Sequence, residues 1–160
     1  MSNFFKSDLI RELAIAEDQK AAIMTALGDS LDHQTLTGND MIIAVFIERG
    51  INKGGIIMPD ERLKESLYQS KVGLVVKAGP DAFRFRGAYP WVTPRPEELD
   101  NEGRLLPAYN KRAKLHTPKV GDWVVHFPTD SKLFGLRGVP CRYSLDSTVK
   151  MITTAPDEIL

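Results

Sequence analysis

Between Met41 and Thr153 the chain runs in short apolar stretches rich in Val and Ile, each closed off by Gly or Pro. This pattern restricts the fold more than any other feature. Met41-Ile-Ile-Ala-Val-Phe-Ile47, Val72-Gly-Leu-Val-Val76 and Trp123-Val-Val-His126 are too short for stable helices. Their β-branched side chains suit a pleated surface. Strands are expected near 41–48, 71–77, 121–127, 138–145 and 148–153. Several short strands with this punctuation predict a mainly β fold, a small irregular barrel over residues 41–154. Ile43, Val45, Val75, Trp123, Val125 and Ile152 would be among its apolar positions.

The N-terminal part differs in period. Residues 8–27 read as a helix, with Ser7 as N-cap, Asp8 in the first turn and Gly28 as terminator. Leu9, Leu13, Ala16, Ile23, Met24 and Leu27 fall on one arc, which Glu17 and Lys20 interrupt; a break there would leave two apolar patches. Residues 28–40 are rich in turn formers and read as a linker. The chain thus divides into a helical arm and linker, 1–39, and a β-rich body, 40–160. The arm packs on its own body or reaches a neighbouring subunit, in which case Leu9, Leu13 and Met24 are interface residues.

Within the body, Gly54-Gly55 is followed by Ile56-Ile57-Met58 and Pro59, with charged residues on both sides. Paired glycines leave the backbone permissive, and three large apolar side chains in a polar stretch are costly to leave in water. Each recovers roughly 1.5–3 kcal/mol when buried, in a core or in a partner's groove.

Gly54-Gly-Ile-Ile-Met-Pro59 resembles the mobile loop of the GroES-like co-chaperonin family. Met41–Ile47 is similar to that family's first strand, and Lys71-Val-Gly-Leu-Val-Val-Lys-Ala-Gly79 to its next strand and glycine turn. Val120-Gly-Asp-Trp123 resembles its Val-Gly-Asp strand, and Asp157-Glu-Ile-Leu160 its C-terminal Asp-Ile-Leu. The resemblance runs in order over residues 40–160. It implies a GroES-like β-barrel, a mobile loop at 48–70, a homo-oligomer, and docking to a chaperonin ring through Gly54, Gly55, Ile56, Ile57 and Met58.

The largest departure is an insertion at 80–119, where the family has a short roof hairpin. Phe83, Phe85, Tyr89 and Trp91 alternate with Arg84 and Arg86, and four prolines fall between Pro90 and Pro107. Aromatics and Arg are favoured at the centres of protein interfaces, and proline holds an extended arm at low entropic cost. A contact surface built on Phe83, Phe85, Tyr89 and Trp91 is therefore expected in preference to a nucleic-acid platform. A formal net charge of zero argues in the same direction, because phosphate binding requires excess Lys and Arg; it also argues against electrostatic attachment to membranes.

Catalytic or metal chemistry finds no pattern to rest on. His33, His116 and His126 are scattered, without Cys or carboxylates at ligand spacing, and Cys141, the single cysteine, has no base beside it in sequence. No phosphate-binding glycine motif opens a helix. The expectation is a non-enzymatic protein without cofactor or metal, in a virion or the host cytoplasm, with no signal peptide and no membrane partner.

Two uses fit that expectation. One is a structural component of a phage virion (head decoration, connector or tail protein), held to other virion proteins through loop, arm and insertion. The arm, the enlarged roof and the stop at Leu160, where co-chaperonins continue their last strand onto a neighbour, place it first. The other is an active co-chaperonin, an oligomeric lid docking Ile56-Ile57-Met58 into a chaperonin ring.

Overall fold

The computed structural model describes residues 6–48, 60–83, 92–127 and 131–159. Two helices, α1 (Ser7–Ile15) and α2 (Gln19–Leu27), precede β1 (Asp40–Val45). Then come α3 (Asp60–Gln69), β2 (Val72–Ala78), α4 (Pro107–Leu115) and four strands: β3 (Trp123–His126), β4 (Lys132–Leu136), β5 (Val139–Leu145) and β6 (Val149–Thr153). The fold is mixed α/β rather than mainly β. Its six strands form one antiparallel sheet in the order β4-β5-β1-β2-β3-β6. The sheet does not close into a barrel: β4 and β6 are its two edges.

The open sheet is nevertheless strongly curled. β5 and β6 are separated by three strands, about 19 Å across a flat sheet. Only the turn Asp146–Thr148 joins them, and the four steps from Leu145 to Val149 reach at most about 14 Å. The ends must bend toward one another. Val149 accordingly shares a cluster with Met41, Ile43, Val75, Val124 and Phe83 on the concave side.

The convex side is covered by the helices. Ile10, Leu13, Ala14, Ile23 and Leu27 pack on Ile42, Ala44, Leu74, Val76, Val139 and Cys141, so residues 6–27 share a core with the sheet. Alternation along β1 and β2 sends successive side chains to opposite layers, which explains two clusters from one apolar run.

Helix 8–27 is divided. α1 ends at Ile15, and Asp18 caps α2 by accepting a hydrogen bond from the Ala21 amide at 3.1 Å. The break falls between Ala16 and Asp18, where the charged residues interrupt the apolar arc. Lys6, not Ser7, occupies the N-cap of α1, while Gly28 terminates α2 with φ +53°. Of the expected apolar positions, Ile43, Val45 and Val75 are buried and Trp123 and Val125 half-buried, but Ile152 is exposed. β4 was absent from the expected strands; it forms a hairpin with β5 through Arg137 and Gly138, both at positive φ (52° and 83°).

The insertion is not an extended arm over its described part. Pro96 starts a short 3-10 turn and Pro107 the helix α4, the first helical turn being where a missing N–H costs nothing. Val92, Tyr109 and Ala113 make a small core with Leu105 against it. The Tyr109 hydroxyl donates to the Val92 carbonyl at 2.8 Å, and Arg112 pairs with Glu98 at 2.7 Å. Among the described residues no helix is long and apolar enough to cross a membrane.

Candidate docking site

The segment carrying the Gly-Gly and Ile-Ile-Met motif joins β1 to β2, which are adjacent antiparallel strands. Gly54, Gly55, Ile56, Ile57 and Met58 themselves lie outside the described residues, as do Phe85, Tyr89 and Trp91. On the outgoing side the ladder ends at Val45 opposite Gly73, followed by a bond from the Phe46 amide to the Val72 carbonyl at 3.0 Å. Ile47, the next residue, is gripped by the buried Gln19: the side-chain Nε2 donates to its carbonyl and its amide donates to Oε1, each at 2.9 Å.

On the returning side, α3 brings the chain back, with Leu67 buried in the convex core. Its last carbonyls would be orphaned at a helix end. Arg142, projecting from β5, donates from Nη2 to the carbonyls of Tyr68 (2.8 Å) and Leu67 (3.4 Å), and from Nη1 to the Ser131 hydroxyl (3.0 Å). Ser70 then ties the roots together, its hydroxyl lying 3.3 Å from the Phe46 carbonyl and 3.2 Å from that of Val72. Phe46 is further braced edge-on by Trp123, ring centres 5.4 Å apart.

Gln19, Ser70 and Arg142 could not be found from sequence. Each reaches a backbone group brought near only by the fold, Gln19 across 28 positions, Ser70 across 24 to the Phe46 carbonyl and Arg142 across about 75. The predicted interface residues are placed differently. Leu13 is buried in the convex core, and Leu9 and Met24 pack half-buried against the same core. Phe83, with φ +65°, is buried in the concave cluster. Within one chain these four side chains already have apolar partners, so Leu13 and Phe83 are core residues rather than contact surface.

His126 and Cys141 are further buried ionisable groups. His126 is buried; burial first, then the charge of Arg142, lower its pKa to about 4. Burial pushes the Cys141 thiol up to about 12, which leaves negligible thiolate at neutral pH. Among the described residues no group of three or more His, Cys, Asp or Glu is placed to hold a metal ion. No protein-family model matches the sequence, and no curated protein matches it.

Proposed function

We propose that this chain is a GroES-like docking protein that engages a chaperonin ring through the apolar tripeptide Ile56-Ile57-Met58, without catalysing a reaction. The observation that carries this reading is the anchoring of the connecting segment. Its roots leave two adjacent strands and are fixed by Gln19, Ser70 and Arg142, so a docking element between them starts from a defined base. Fixing the roots in advance reduces what must be ordered on binding. The packing of α1 and α2 onto their own sheet removes the main reason for reading that region as an inter-subunit arm. That moves the lid reading ahead of the virion one.

A specific observation keeps the virion component as a second reading. Leu115, Val120, Met151 and Ile152 are exposed, and the last two lie on β6, an edge strand of the sheet. An edge with exposed apolar residues is the kind of surface that a fixed assembly covers.

The two readings separate in one pair of measurements. Binding of the purified chain to a chaperonin ring, followed with its ATP turnover, should show slowed turnover. Ile57→Asp should abolish that effect while leaving circular dichroism unchanged, since a carboxylate is strongly disfavoured in an apolar groove. No ring binding by the wild type, together with stoichiometric presence of the chain in purified virions, would establish the second reading instead.

A further inference from the structure

We propose that the edge strand β6, together with the groove between it and the end of α4, receives an extended acidic segment of a partner protein as an added strand. The site is separate from the β1–β2 loop, and each of its residues is described. β6 pairs with β3 on one side and with no other described strand. Its burial departs from the usual alternation: Lys150, Met151 and Ile152 are exposed in succession, so neither face of the strand is covered there. Beside it α4 ends in Leu115, which is 79% exposed. Between them lies a groove of about 440 Å³ whose lining includes Leu115, His116, Pro118, Lys150, Met151 and Ile152.

The main chain of an edge strand offers hydrogen bonds to any extended chain, so the side chains decide which one enters. Here they are cationic. Lys150 and His116 stand in the lining, Lys114 is exposed one residue before Leu115, and no carboxylate belongs to the lining. None of these three forms an ion pair with a described residue; the Lys150 ammonium donates to the Ser147 carbonyl at 3.4 Å and sits 5.0 Å from the centre of the Phe127 ring. A second copy fits poorly. Antiparallel pairing of β6 with its own copy brings both Lys150 side chains into one seam, and pairing with the other edge, β4, brings in Lys132. A nucleic acid would use the charge but leave Leu115, Met151 and Ile152 without apolar partners. A peptide alternating acidic and apolar residues meets every demand: carboxylates for the cations, apolar side chains for the groove and a backbone for the edge.

The test uses the full chain and a short fluorescent peptide of alternating Glu and Val, with a Lys/Val counterpart and two N-methylated versions, one for each set of alternate amides. By fluorescence anisotropy the Glu/Val peptide should bind about tenfold more tightly than the Lys/Val peptide, and at least one N-methylated version should lose binding. Backbone NMR shifts on adding the Glu/Val peptide to the wild type should centre on Lys150–Thr153. Lys150→Glu, which alters an exposed side chain and should leave the thermal midpoint unchanged, should weaken that binding about tenfold. Equal affinity for the two peptides would mean unselective apolar adhesion, and full binding by both N-methylated versions would mean that no strand is added; either result overturns the proposal, as does no binding at all. Binding of a single-stranded oligonucleotide in place of the peptide, with the same dependence on Lys150, would overturn it in favour of nucleic acid. Self-association in sedimentation that Ile152→Thr abolishes would give the edge to a second copy instead.

Discussion

At the scale of single residues burial produces the most consequential chemistry. His126 has a folded pKa of about 4 against 6.5 when free, with burial the leading cause and Arg142 the second. An unfolded chain takes up a proton between those values and the folded chain does not, so stability is full above pH 6.5 and declines as pH falls toward 4. The loss approaches about 3 kcal/mol. Glu98 acts lower on the scale: the hydrogen bond from Arg112 leads in holding its carboxyl at about 2, so its contribution disappears between 4.5 and 2. Urea midpoints at pH 7, 6 and 5 should fall steadily for the wild type and stay nearly level for His126→Leu. Parallel profiles would mean that some other group takes the proton. Neither pKa was legible beforehand, since His126 stands in a strand like any other polar residue until the fold buries it.

At the scale of elements, the β1–β2 pair depends on a glycine. A Cβ at Gly73 would stand 1.9 Å from Ile43 Cγ2 and 3.0 Å from the Ala44 carbonyl oxygen, so the strands approach closely only because none is there. Gly73→Ala should destabilise the sheet by about 1–3 kcal/mol in urea unfolding, with accelerated exchange of β1 amides. An effect within error would show that Ile43 can rotate away at no cost. β1, β2 and β3 are legible as short runs rich in Val and Ile, and β5 and β6 as short segments set off by Gly138 and by the polar turn between them. β4, where Gly135 and an opening lysine weaken the pattern, is not legible in this way, nor are α3 and α4. Asp60–Gln69 and Pro107–Leu115 are polar enough to read as loop and insertion, and each becomes a helix through contacts of a few side chains, Leu67 in one case and Tyr109 with Ala113 in the other. Helices of this length rarely form without such support.

At the scale of the whole molecule, the helical layer and the sheet depend on one another. Removing residues 1–39 would uncover Ile42, Ala44, Leu74, Val76 and Cys141 on the convex side and take away the Gln19 grip on Ile47. The truncated chain should aggregate or bind hydrophobic dye, in contrast to a free-standing barrel, which would remain soluble and give a cooperative melt. The sequence by itself determined what is local: the strand segments, the termination of α2 at Gly28, the break near Glu17, and an apolar motif after paired glycines, because backbone preference and side-chain period act over a few residues. Whether the sheet closes was left to tertiary structure. Closure depends on the twist and register of strands far apart in the chain, and here β4 and β6 stay unpaired with one another while a three-residue turn curls the sheet between them. The same reason covers Gln19, Ser70 and Arg142: a hydrogen bond to a distant backbone group leaves no mark on the sequence around it, so only the folded chain shows that these three side chains hold the roots of one loop.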